Sequence, residues 1–86
     1  MKLQTASITN ANAPEVVAAG RAAMQGGDWV VDFSSVVHCD TSAVACILAW
    51  LRFARASGGK LQLLGLPADL LSLAKLYGVE ALIVAP

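Results

Sequence analysis

The chain has 86 residues and a mass of 8.9 kDa, a length that fits one small domain over residues 1–86. Hydrophobic residues make up 57% of the sequence and charged residues 14%, which excludes an intrinsically disordered chain. Six basic residues balance six acidic ones, so the positive excess that nucleic-acid binding requires is missing. Because an apolar chain without net charge associates readily, we expect the protein to work against another protein surface.

Neither a membrane-spanning segment nor a signal peptide is predicted. The uncharged stretch Thr41–Leu51 is shorter than the roughly 18 apolar residues that a bilayer requires. Met1–Thr5 lacks the apolar region of a signal peptide, so we expect a cytoplasmic protein. Cys39 and Cys46 have no second pair to complete a zinc site, which predicts reduced thiols, no metal and no cofactor.

The first part of the chain predicts a weak strand followed by a helix. Residues 3–8 alternate weakly between apolar and polar side chains, a pattern typical of an edge strand. A helix is predicted over 14–25, because Pro14 suits a first turn and Glu15 complements the positive helix end. Its apolar face consists of residues at helical spacing: Val16, Val17, Gly20, Ala23 and Met24.

Two glycine pairs each separate a helical segment from a short apolar run. Gly26-Gly27 precedes residues 29–33, and Gly58-Gly59 precedes residues 61–64. Glycine ends helices because it adopts the left-handed conformation at no steric cost. The repeated order of helix, glycine pair and strand predicts an α/β fold with both runs in one small mixed, largely parallel sheet and about three helices.

A helix is predicted over 41–57, with its start marked by polar residues. Asp40 is expected to be the N-cap, because its carboxylate accepts a hydrogen bond from a free backbone N–H group. Thr41 then places its hydroxyl at the mouth of the helix, where the helix dipole favours negative charge. Asp40, Thr41 and Ser42 are thus either a structural N-cap box or part of a functional site.

This middle helix carries two apolar stripes instead of one. The first stripe is suited to pack on the sheet and consists of Val44, Ile47, Leu48 and Leu51. The second lies on roughly the opposite face and consists of Ala43, Cys46, Trp50 and Phe53. Either the third helix or the N-terminal strand covers the second stripe, or the stripe is an exposed patch that binds a partner.

The third helix is predicted over 67–77, opening at Pro67 and ending before Gly78. Its core stripe consists of Leu70, Leu73, Ala74 and Tyr77. Residues 79–84 are expected to form a final short strand or an extended tail.

No catalytic residues are predicted. His38, Cys39 and Asp40 offer the residue types of a nucleophilic site, but neighbours in sequence usually point apart, and the chain holds one histidine. A Walker-type phosphate loop is not present in the sequence. The polar chemistry available to so short a chain argues against an enclosed substrate pocket.

The middle of the chain resembles the signature of STAS domains, which include the anti-sigma factor antagonists. Their pattern is a strand ending in Asp-Leu-Ser, followed by Asp-Ser-Ser-Gly-Leu at the start of a helix. Val30–Val36 and Asp40–Ala45 are similar to these two segments. Gly58–Leu63 and Pro67–Gly78 fit a later strand and the last helix, so the resemblance covers about residues 14–84.

Two branches of this family imply different partners. In the phospho-switch branch, a kinase that is also an anti-sigma factor phosphorylates the position matched by Thr41. In the transporter branch, a lone STAS subunit binds the cytoplasmic ATPase of the Mla phospholipid-transport ABC complex, and so reaches the inner membrane only indirectly. Thr41, Ala43 in place of the usual glycine, and the segment Leu71–Val79 favour the transporter branch. The partner-binding surface is then expected at the start of the middle helix and along its second stripe.

Overall fold

The computed structural model describes residues 1–81. Three helices and four short strands form in the order β1 (Ser7–Ile8), α1 (Ala13–Gln25), β2 (Val30–Asp32), β3 (His38–Cys39), α2 (Thr41–Ser57), β4 (Gln62–Leu64) and α3 (Ala68–Leu76). The three predicted helices are confirmed, each to within one residue at either end. The α/β class is confirmed with them.

The strands pair in parallel. β1 pairs with β3, and β2 pairs with β4, which places the two predicted apolar runs side by side as expected. The start of the chain joins the two pairs, because Leu3 N donates to Asp32 O (3.0 Å) and Asp32 N donates to Met1 O (2.8 Å). Every strand pairing among residues 1–81 is therefore parallel, which corrects the expectation of a mixed sheet.

The N-terminal segment contacts both strand pairs: Ser7–Ile8 is one strand of the two-stranded β1–β3 sheet, as expected of an edge strand, and Lys2 forms an isolated bridge to Asp32 of the separate β2–β4 sheet. Its first residues pair with β2, and Ser7–Ile8 pairs with β3. Leu3 and Ile8 are buried toward the helices, whereas Lys2 is exposed on the other face. Burial of these two side chains fixes the segment between its neighbours, although few of its residues meet the definition of a strand.

The glycine pairs end α1 and α2 as predicted. The left-handed residue is the second glycine of the first pair, Gly27 (φ 94°), and the first glycine of the second pair, Gly58 (φ 74°). In both turns a backbone N–H group donates to the last part of the helix, from Asp28 to Ala23 O and from Gly59 to Ala54 O, each at 2.9 Å. The chain then enters β2 or β4 at the same end of the sheet.

α1 and α2 pack side by side and run in the same direction. Successive contacts between the two helices lie about one turn further along both of them. Cys46 Sγ lies 3.7 Å from Ala13 O, Trp50 Nε1 donates to Val17 O (3.1 Å), and the Arg21 guanidinium lies 5.2 Å from the centre of the Phe53 ring. α2 also packs against α3, so it is the central helix of the domain.

The third helix differs from its predicted core stripe at one residue. Leu70 and Ala74 are fully buried and Leu73 is partly buried, but Tyr77 is 57% exposed. The helix ends at Leu76, so Tyr77 lies in the turn before Gly78 and no longer follows the buried stripe. Of the strand or tail predicted over 79–84, residues 80–81 have helical backbone, and residues 82–84 lie outside the described residues.

Candidate partner-binding site

The mouth of α2 has the geometry that the sequence predicted. Asp40 has an extended backbone (φ −107°, ψ −168°), and its Oδ1 accepts a hydrogen bond from Ser42 N at 2.8 Å. The backbone of Asp40 is itself fixed by donation to Ile8 O (3.2 Å). The cap therefore attaches the first turn of α2 to the carboxyl end of β1.

The two hydroxyl groups at this mouth are in different environments. Ser42 is buried, and its Oγ donates to Asn10 Oδ1 at 2.5 Å, which links α2 to the loop before α1. Thr41 is exposed, and its side chain makes no hydrogen bond to residues 1–81. Of the two, Thr41 is therefore the hydroxyl that a partner protein or a kinase can reach.

Three carboxylates lie at the end of the fold where α2 begins and form what we call the acidic edge: Asp32, Asp40 and Asp69. They lie where β2 ends and where α2 and α3 begin. Ser34 N donates to the Asp32 carboxylate at 2.8 Å, and this hydrogen bond lowers the pKa of Asp32. Asp69 lies 3.8 Å from His38 Nδ1, an exposed pair that contributes little to stability.

The opposite end of the domain is basic. Arg52 and Arg55 lie in the last turns of α2, and Lys60 lies in the turn that leads to β4. The carboxylate at this end, Asp28, is paired with the Met1 ammonium group at 2.5 Å, which lowers the pKa of Asp28. Most of the charges are thus separated between two ends, although Lys2 lies beside Asp32 at the acidic one.

Two exposed apolar side chains near the acidic edge are not apparent from the sequence. Val37 is 61% exposed and Leu64 is 49% exposed. Leu64 ends β4 on the face of the sheet away from the helices, whereas its neighbour Leu63 points inward. Side chains alternate between the two faces along β4, so the exposure of Leu64 could have been predicted if the face covered by the helices had been known.

The second apolar stripe of α2 is not an exposed surface. Ala43, Cys46 and Trp50 are at most 1% exposed, because α1 lies over them. The expectation of a partner-binding patch at these three residues is therefore wrong, and the cover is α1, not the third helix or the N-terminal strand. Phe53 is partly buried between the Arg21 guanidinium and the Trp29 ring, whose centre lies 6.2 Å away.

The thiols are poor nucleophiles in this environment. Burial, with the nearby charges of Asp69 and Asp40, raises the pKa of Cys39 to about 11. Burial also raises the pKa of Cys46. His38 is exposed and Cys39 is partly buried, so these consecutive β3 residues lie on opposite faces of the sheet.

Within residues 1–81, no cluster of three or more His, Cys, Asp or Glu side chains is arranged to hold a metal ion. In the same part of the chain, no helix is long and apolar enough to cross a membrane.

Comparison with known families covers almost the whole chain. The family model described as "Mlab, STAS domain" matches residues 4–85. No curated protein matches the chain. Since the matched region includes every strand and helix of the fold and the capped start of α2, the chain belongs to the MlaB-like STAS domain family.

Proposed function

We propose that this protein is a non-catalytic cytoplasmic adaptor subunit that binds the ATPase of an Mla-type ABC phospholipid transporter, and that it regulates or stabilises that ATPase at the inner membrane. The observation that carries the proposal is the exposed Thr41 at the capped mouth of α2, in a chain that belongs to the MlaB-like STAS family. The ATPase is the partner that the resemblance to the transporter branch implies.

The proposed contact is centred on Thr41. Asp40 fixes the backbone of the first turn, and Ser42 holds the neighbouring loop through Asn10, so the hydroxyl of Thr41 projects from a rigid frame. Val37 and Leu64 add apolar area near the same edge. Because the acidic edge lies at the same end of the fold as this contact, the matching surface of the ATPase is expected to be basic.

The proposed non-catalytic role is supported by the state of the titratable side chains. Both thiols have raised pKa values and remain protonated at neutral pH, so neither provides a thiolate nucleophile. His38 is exposed on the outer face of the sheet, away from the more buried side chain of Cys39. A general base with a positioned nucleophile is therefore not assembled from these residues.

A second candidate function is supported by the exposure of Thr41. An anti-sigma factor antagonist is switched by phosphorylation of the residue that follows the Asp at the start of the helix. In this chain that residue is Thr41, which is exposed, whereas Ser42 is buried. A phosphate would add about −1.5 to −2 charges beside Asp40. Such a group would repel an acidic partner surface and attract an arginine-rich one.

The test of the transporter proposal is a binding titration with the Mla-type ATPase from the same organism. Thr41→Glu is expected to weaken binding about 10-fold or more, because its larger side chain prevents close approach at the centre of the contact, a loss that outweighs attraction of the new charge to a basic surface. Ser57→Glu is the matched control, since it also replaces a hydroxyl side chain with a glutamate, but at the other end of α2. It is expected to bind like the wild type. Far-UV circular dichroism checks that both variants are folded.

Two results would argue against this function. The first is a wild-type chain that does not bind the ATPase, and the second is equal binding by all three proteins. If a co-encoded anti-sigma kinase instead phosphorylates the wild type at Thr41, and Thr41→Ala is not modified, the antagonist function replaces the transporter one. Mass spectrometry of the treated protein makes that distinction.

A further inference from the structure

An open groove of about 590 Å³ runs between the outer sides of α1 and α2, beginning at the mouth of α2. Its walls are mainly small or apolar, and its lining includes Pro14, Val17, Ala18, Ala45 and Cys46. Asn10 and Ser42 close one end with their mutual hydrogen bond, and Arg21 lies at the other. The groove extends along α1 from residue 13 to residue 21, a length of about 12 Å or roughly two helical turns.

Arg21 is the charged residue among those that line this groove. Its guanidinium is held over the Phe53 ring at 5.2 Å, and within residues 1–81 no carboxylate lies within 4.0 Å of it. Glu15, on the same helix, lies about 120° round the helix axis from Arg21 and is not among the residues that line the groove. The groove therefore presents one positive charge that the described chain does not neutralise.

The size of a stable interface requires contact beyond the mouth of α2. A standard interface buries about 800 Å² on each partner, which is roughly one sixth of the 4921 Å² of accessible surface of this domain. One exposed threonine with its flanking carboxylates offers only a small part of that area. The groove adjoins the mouth directly, because Ser42 belongs to both.

We propose that a helix of the partner ATPase, carrying small apolar side chains and one carboxylate that pairs with Arg21, binds in this groove. The inference rests on the proposed function and adds a second contact on the same partner. Exposed alanines on both walls, Ala18 on α1 and Ala45 on α2, allow the backbone of a third helix to approach closely. The unpaired guanidinium sets the orientation of that helix by the position of its carboxylate.

Two pairs of variants test the groove in the same titration with the ATPase. Ala45→Phe fills the groove, and Ala56→Phe places the same side chain three turns further along the exposed side of α2. Arg21→Glu reverses the charge in the groove, and Arg55→Glu makes the same change in net charge outside it. We expect Ala45→Phe and Arg21→Glu each to weaken binding about 10-fold, and the two controls to bind like the wild type.

The results separate this inference from the function on which it rests. If the wild type binds and Thr41→Glu is weakened, but Ala45→Phe and Arg21→Glu bind normally, the groove inference fails and the proposed function stands. If the wild type does not bind, both fail. Self-association of the isolated chain that Ala45→Phe abolishes, measured by analytical ultracentrifugation, would assign the groove to a second copy and overturn the proposal.

Discussion

The indole of Trp50 lies directly on the backbone of Gly20. A Cβ atom at position 20 would come within 2.7 Å of Trp50 Cζ2 and still closer to Cε2 and Nε1. The indole nitrogen donates to Val17 O at 3.1 Å, one turn earlier on the same helix. The close packing of α1 on α2 therefore requires both the glycine at position 20 and the tryptophan at position 50.

Gly20→Ala is expected to destabilise the domain by about 1–3 kcal/mol, because the added methyl group forces Trp50 or α1 to move. In an unstrained helix the same change is stabilising, so the sign itself is informative. Gly26→Ala is the control, since a Cβ there would make ordinary contacts of 3.4 Å or more. Urea unfolding of both variants measures the difference, and equal midpoints would contradict the close packing.

Trp50→Ala is expected to lower the free energy of unfolding by about 3–5 kcal/mol, because it removes the largest fully buried side chain of the core. Such a loss is a large part of the stability of a small domain. Trp50→Phe is expected to cost less, since it retains the ring contact with Phe33, whose centre lies 6.1 Å away. A Trp50→Ala variant with the same thermal unfolding midpoint as the wild type would disprove the buried position.

Asp40→Ala and Thr41→Ala, at neighbouring positions, are expected to differ in their effect on stability. Loss of the Asp40 cap costs about 1 kcal/mol, because Ser42 N loses its acceptor. Thr41→Ala is expected to change stability by less than about 0.5 kcal/mol, since its side chain is exposed. Chemical unfolding provides the comparison, and a larger effect at Thr41 would show that its hydroxyl has a structural role.

Alkylation of Cys39 by iodoacetamide at pH 8 is expected to be about 100-fold slower in the folded protein than in urea, because its pKa is raised to about 11. Unfolding free energy is also expected to fall as pH rises from 9.0 to about 11, since the unfolded chain releases this proton first. Cys39→Ser is expected to reduce that fall. Rapid labelling of native Cys39 would contradict its raised pKa.

Local signals in the sequence predicted the elements of the fold. The Asp40 cap and the two glycine pairs each depend on a few neighbouring residues, and the structure confirms them. The two stripes of α2 were likewise apparent from spacing alone. Which element covers each stripe depends on tertiary packing, and the absence of a side chain at Gly20 gives no periodic signal that α1 receives Trp50.

The candidate site could be predicted only in part for the same reason. Thr41 and Asp40 were found because a helix start has a recognisable sequence. Val37 and Leu64 were missed, since their exposure depends on which face of the sheet the helices cover. The groove beside Arg21 lies between two helices, of which α1 ends at Gln25 and α2 begins at Thr41, so no short motif describes it.

The placement of acidic groups at the helix starts and of Arg52, Arg55 and Lys60 at the other end makes the domain an electric dipole. A dipole turns in the field of a charged body before contact, so the acidic edge would face a basic partner during approach. Added salt would then lower the rate of association with that partner, although a protein of zero net charge is usually expected to show little dependence on salt. If the proposed partner is basic, electrostatic forces would thus set the orientation of docking before the two surfaces meet.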